Sequence, residues 1–439
     1  MLAAGDRFEV VARWSDHGSG PVRALAVAQR SPESTRGVVS TPNCKTLAGP
    51  GRGVGMYDFV VVGAGPAGSR FARRAAVAGH DVLALERGGV GTPLACSGHV
   101  STDVWEYTDG ARDDLLQNEV RGARFHLGGP DSDAHRFHRD ETISNVIDRV
   151  GLDRHLADLA RDAGADLREG HTVTAVDERR DRVVITARGP DGVERFETRM
   201  VAGCDGPRSR VRGEVGLGEP GELLHGVLGF DHDPLATDGG RVVDATGGDR
   251  PDTGSGARAG DSGDFVDVHL TVPSFFAWRI PRGEAGVEYG LAAPPGADVG
   301  DRFDRLAAAY DVTLDRRCSG AIPIEPPDSV VSRRTFLIGD AAAQTKPFTG
   351  GGILYGMTAA DHAASEIDPT EPATLSAYER AWRADLRREI ALGAWVRRAY
   401  DLPEPVQHVG MRAADGEIGV HMDRPSTLFS LDQLRALLS

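Results

Sequence analysis

Lysine is nearly missing from this sequence. Lys45 and Lys346 are the only two in 439 residues, so arginine carries almost all the positive charge. Chemistry that depends on a lysine in the middle of the chain is thereby excluded. Cysteine is scarce too: Cys44, Cys96, Cys204 and Cys318 stand apart, with no C-x-x-C pair. That spacing supports neither a disulfide framework nor an iron–sulfur or zinc centre, and no metal site is expected. No run approaches the roughly 18 apolar residues of a membrane span, and no signal-peptide core stands out. The chain is expected in the cytoplasm, with any membrane contact peripheral. Positive charge is outweighed as well. A formal net charge of −15 argues against a nucleic-acid footprint.

Residues 1–55 differ from the remainder. They hold seven basic and four acidic residues, show poor periodicity and end Ala-Gly-Pro-Gly-Arg-Gly-Val-Gly before Met56. The expectation is a disordered or non-native extension, with translation starting at Met56.

What is present begins directly after it. Phe59–Val62 is a continuous β-branched and aromatic run, the pattern of a strand buried on both faces. It enters G-x-G-x-x-G at Gly63, Gly65 and Gly68, followed by a periodic apolar segment closed by Gly79. A second strand, Asp81–Leu85, delivers Glu86 and Arg87. Gly63 suits a tight turn, Gly65 the approach of a pyrophosphate, and Gly68 close packing of helix on strand. Glu86 can accept hydrogen bonds from a ribose. Strand, loop, helix, strand and acid in register point to a dinucleotide site.

A glycine-rich loop around Cys96, Ser97 and His99 then returns toward the nucleotide. Val120–Leu127 reads as one strand. Leu152, Leu156, Leu159, Ala160 and Ala163 mark a helix ending at Gly164. His171–Val176 and Arg182–Thr186 alternate as a hairpin, and a strand at 200–204 ends on Asp205-Gly206. From 216 to 331 the pattern is strand-like, with a helix at Arg302–Tyr310 and a Gly/Asp-rich loop at 233–264. Thr335–Asp340 is another buried strand. Gly350-Gly351-Gly352 opens a helix at Ile353–Glu366, a long amphipathic helix spans 374–400, and a short one is expected at Leu428–Leu438.

Several of these segments together carry a family resemblance. G-A-G-P-A-G with Glu86, a central C-D-G-P-x-S, and F-L-I-G-D-A-A followed by G-G-G-I resemble glutathione-reductase-type FAD proteins of the hydroxylase branch. Within that branch, T-P-L-A-C-S-G-H at 92–99, P-S-F-F-A-W-R-I-P at 273–281 and T-K-P-F-T-G-G-G-I at 345–353 resemble the geranylgeranyl reductase family.

The resemblance implies an α/β fold with an α+β second domain. A discontinuous Rossmann-type FAD domain (56–215 and 332–370) would flank an antiparallel-sheet substrate domain (216–331), before a C-terminal helical region (371–439). It also implies that Gly63, Gly65, Ala67, Gly68, Glu86, Arg87, Arg149, Val173 and Asp205 hold the ADP half of FAD. Cys96, Ser97, Asp340, Gly351, Gly352 and Ile353 would meet the ribityl and ring. Phe276, Trp278 and Ile280, with Phe275, would wall a channel for a prenylated lipid, and Cys96 is the candidate proton donor. Electrons would come from NAD(P)H or a reduced ferredoxin-type donor. Plain alternatives stand beside these readings: Arg149 as a surface ion pair, Asp340 as a helix cap, Cys96 as a structural thiol. Menaquinone side chains and geranylgeranyl diphosphate are alternative substrates, and an FAD-dependent monooxygenase shares the fold.

Overall fold

The computed structural model describes residues 55–92, 96–231, 263–314, 316–413 and 423–429, with two short strands at 237–238 and 241–242. All but the last residue of the 1–55 extension, most of the 233–264 loop and most of the 428–438 helix lie outside them. Contacts divide the chain into Met1–Gly53 and Val54–Ser439; the fold below is that of the second unit.

Its first sheet grows from the strand Tyr57–Val62, whose last four residues are buried. Val82–Leu85 and then Asp166–Arg168 add in parallel on one side, and Gly192–Gly203 adds in parallel on the other. The long strand Gly192–Gly203 serves two partners. Its beginning pairs antiparallel with Val183–Gly189, which pairs with Thr172–Glu178, and its end receives Thr335–Leu337 in parallel. Three distant pieces of chain therefore finish side by side at Gly63, Cys204 and Ile338. A strand buried on both faces reads as unbroken apolar sequence, which is why the helices Pro66–Val77 and Ile353–Glu366 can pack over Val60, Val61, Val201 and Leu337.

The second sheet has the order 316–324, 222–230, 287–293, 275–281, 265–272, 122–126, 134–138. All pairs are antiparallel except 265–272 with 122–126. Two corrections to the sequence reading arise here. Val120–Leu127 is not one strand: Leu116–Val120 lies in a small third sheet with His99–Ser101 and Ser144–Ile147, while Gly122–His126 crosses into the second. The crossing passes Gly122, where a Cβ would sit 2.4 Å from the Phe137 carbonyl oxygen. The hairpin 122–138 thus joins the second sheet although it interrupts the nucleotide-binding segment in sequence. One face of that sheet buries Tyr289, Leu291 and Ala293 against Phe303 of the helix Val299–Ala309.

Candidate functional site

The glycine loop is held by a second strand. At Gly63, where φ is +98°, a Cβ would lie 2.4 Å from the Cys204 carbonyl oxygen; at Gly68 it would lie 2.0 Å from the Gly63 carbonyl oxygen. At Gly65 nothing stands within 4 Å, leaving the open side of the turn to a ligand. Gly65 caps the helix Pro66–Val77 with no side chain bonded to its first N–H groups. Such a terminus presents free donors and a positive dipole end to an anion. Glu86 sits at the end of the adjoining strand, accepting from Ala64 N at 2.8 Å and from Gly88 N at 3.2 Å. Arg87 is exposed. The Ala67 methyl stands 3.0 and 3.2 Å from where Cβ atoms on Gly339 and Gly356 would be, so these glycines let the first helix pack on the last nucleotide-binding segment. Val173 buries its side chain in the core.

The Asp205 carboxylate accepts from Ser209 Oγ at 2.5 Å, Arg210 N at 2.7 Å and Val211 N at 3.0 Å, so it caps the short helix Arg210–Glu214. Both oxygens have backbone or hydroxyl donors, which fixes the turn beside the glycine loop.

A second uncapped helix start lies at Gly352, ahead of Ile353–Glu366. Asp340 Oδ1 stands 2.5 Å from where a Gly352 Cβ would be, so the glycine is what lets carboxylate and turn coexist. Burial raises the Asp340 carboxyl to about 6, with Arg149 drawing it back. Arg149 is no surface ion pair: it is buried, bonds Asp153 at 2.6 and 3.2 Å, and leaves its Nε without a recorded partner. Burial opposes its charge, but Asp153 beside it holds the guanidinium firmly protonated.

Cys96 and Ser97 reach this place through Gly98. There φ is +68° and a Cβ would meet the Ile147 carbonyl oxygen at 2.4 Å and Arg149 Cγ at 2.9 Å. The Ser97 carbonyl accepts from Arg282, whose guanidinium also donates to Glu288 at 3.0 Å, Gln117 at 2.6 Å and Ile147 O at 3.2 Å. Trp278 Nε1 donates to the other Glu288 oxygen at 2.9 Å. Burial outweighs these contacts and raises the Glu288 carboxyl above its ordinary value. His99 is a strand residue rather than a loop one: Nε2 lies 2.8 Å from Ser144 Oγ, and burial lowers its imidazole to about 4.

Above this lies the apolar face of the second sheet. Register puts Trp278 opposite Gly290, which pairs with Leu228 on the next strand, where Gly226 pairs with Ala292. Trp278 covers Gly290 so closely that a Cβ there would fall 2.3 Å from the indole. Phe276 and Trp278 are half-buried and Ile280 buried. Phe275 departs from expectation: it is fully buried, packed with Leu224 and Ile324, and lies 3.2 Å from a Gly350 Cβ position. One edge of the apolar face therefore abuts the Gly350–Gly352 turn.

The sequence reading missed Arg282, Glu288 and the Lys346–Asp423 pair. A signal existed for two of them: Glu288 interrupts the otherwise uncharged strand Val287–Ala293, and Arg282 follows the strand before it.

These residues fit FAD. Two uncapped helix starts, two glycine cradles, an acid at the end of the second strand and a buried guanidinium line the convergence of three chain segments, as a split dinucleotide site requires. A family model described as an FAD binding domain matches residues 56–255. A digeranylgeranylglycerophospholipid reductase of Methanopyrus kandleri is 30% identical over 374 residues, covering 76% of this chain and 90% of that protein. One from Methanothermobacter thermautotrophicus is 28% identical, covering 79% and 88%. Among solved structures, a geranylgeranyl bacteriochlorophyll reductase-like protein of Thermoplasma acidophilum superposes with a TM-score of 0.70 at 21% identity, over 88% of this chain and all of that one. A p-nitrophenol 4-monooxygenase of Pseudomonas putida follows at 0.62 and 19%, over 87% and 98%.

Proposed function

Because the chain belongs to the digeranylgeranylglycerophospholipid reductase family of FAD-dependent prenyl reductases, we propose that it saturates the C=C bonds of geranylgeranyl chains in membrane ether lipids or their precursors. The observation that carries this reading is the apolar face that leads from Phe276 and Trp278 to the Gly350–Gly352 turn.

FAD, when bound, supplies the hydride; the rest falls to the protein. A prenyl double bond offers no polar handle, so position must come from shape. Trp278 is fixed by Glu288 and lies flat because Gly290 has no side chain, which makes a rigid wall for an extended chain. Small residues at Gly226, Gly290 and Ala292 leave depth beside it. An apolar lining excludes water. The second carbon needs a proton, and the Cys96 thiol, held beside Arg149 by the Gly98 turn, is the donor in this account. Arg282 anchors the carbonyl next to Cys96 and so fixes the loop to the wall.

Electrons come from NAD(P)H or a reduced ferredoxin-type protein. Access to lipid would be by peripheral membrane contact. No helix among the described residues is long and apolar enough to cross a bilayer. Four large apolar side chains, Trp395, Leu402, Val406 and Val409, are 46–70% exposed near Tyr400, which touches Phe276 at 6.0 Å between rings. Such a patch suits insertion of a Trp and aliphatic groups into a headgroup region.

Deletion of the gene followed by lipid mass spectrometry tests the substrate. Accumulation of unsaturated ether lipids is expected. A change confined to quinone mass would move the assignment to menaquinone side chains.

A further inference from the structure

Lys346 is a buried cation in the segment leading to the second uncapped helix. Its Nζ bonds Asp423 at 2.5 Å, and both side chains are about 6% exposed. Two independent contacts locate it. Its backbone N–H donates to Gly351 O at 3.0 Å, and its Cε and Nζ lie 2.8 and 3.1 Å from where a Gly351 Cβ would be. Its charge is also felt by His99, on the strand that follows the Cys96 loop. The ammonium therefore lies against the Gly350–Gly352 turn, and its charge reaches His99 on the strand that follows the Cys96 loop.

Asp423 arrives from another part of the chain. Tyr355 donates its hydroxyl to the Asp423 carbonyl at 2.8 Å. The residues after it are tied to the long helix Leu375–Arg398, Arg424 to Asp385 at 2.9 Å and Ser426 N to Glu389 at 3.0 Å. The cation near the ring site is thus balanced by a carboxylate held on the C-terminal helical region.

We propose that Lys346 sets the reduction potential of the bound flavin, with Asp423 as its counterweight. Reduction places negative charge on the ring, and a buried cation close by favours the reduced state while a carboxylate opposes it. Lys346 is thereby a positioning residue for charge, set to keep the flavin reducible by a biological donor. The inference rests on the FAD site alone and holds whichever prenyl lipid is the substrate.

The test is potentiometric titration of FAD-loaded protein against a reference dye, with sulfite affinity of the oxidised form as a second reading. Lys346→Met should shift the reduction equilibrium at least tenfold, which lowers the potential of a two-electron couple by about 30 mV, and should weaken sulfite binding. Asp423→Asn should shift both in the opposite direction, and Lys346→Arg should stay near the native value. Shifts of the same sign in the two neutralised variants, or no shift in either, would overturn the proposal. If Lys346→Met loses FAD, Lys346→Gln is titrated in its place: a lowered potential supports the proposal, and the native potential overturns it.

Discussion

The indole of Trp278 donates to the carboxylate of Glu288 at 2.9 Å, and Glu288 is wholly buried. A residue that looks like one more apolar wall is thus fixed in orientation by a charged partner, which Arg282 balances. Trp278→Phe keeps the ring and removes the bond. A buried carboxylate deprived of one donor should cost about 1–3 kcal/mol, read as a lower urea midpoint at unchanged slope, and turnover on long prenyl chains should fall. Unaltered stability would show that the bond holds nothing.

Gly290 tests the same wall from below. A methyl there would stand 2.3 Å from the Trp278 ring. Gly290→Ala should displace the indole, cost about 1–3 kcal/mol by overpacking and lower turnover while FAD content is kept. Native activity in this variant would place the substrate elsewhere.

Cofactor retention is decided at the other end of the site. Gly68→Ala would set a methyl 2.0 Å from the Gly63 carbonyl oxygen, so purified protein should carry little yellow cofactor by absorbance. Cys96→Ala should do the reverse, retaining FAD while losing turnover. Full turnover without the thiol would remove it from the mechanism.

Acidity should unfold the protein early. Burial lowers the imidazoles of His99 and His269 to about 4 from 6.5. Unfolded chains take up these protons near pH 6.5 while the folded protein refuses them until about 4. The stability they contribute is present above pH 6.5 and lost as pH falls through 4, on the order of 3 kcal/mol each. Asp340 acts with the opposite sign: its carboxyl is raised to about 6, so the stability it contributes is present below pH 3.8 and lost as pH rises through 6. His269→Gln should flatten the decline between pH 6.5 and 4 in urea midpoints. An unchanged decline would contradict this account.

Much of this arrangement is legible in the sequence because burial on both faces leaves a local mark. Phe59–Val62, Met200–Gly203 and Thr335–Leu337 are apolar runs ending at Gly63, Cys204 and Ile338, and the sheet brings those ends together. Other features depend on partners far away in the chain. The donors that fix Asp205, namely Ser209 and Val211, become visible only in the structure. Arg149 reads as either ligand or ion pair, and only its burial with Asp153 shows how strongly it is held. Lys346 and Asp423 are 77 residues apart, and no periodicity announces a contact at that range. The break at Arg121 was hidden because both halves of Val120–Leu127 have strand composition, and only the pairing partners differ.

The most direct test is anaerobic. Protein carrying reduced FAD is mixed with a geranylgeranyl ether lipid, and flavin absorbance is followed together with lipid mass. The account predicts return of the oxidised spectrum at the rate at which the lipid gains two mass units per double bond. Flavin that stays reduced with the lipid, yet reoxidises with dioxygen while an aromatic compound is hydroxylated, would contradict it.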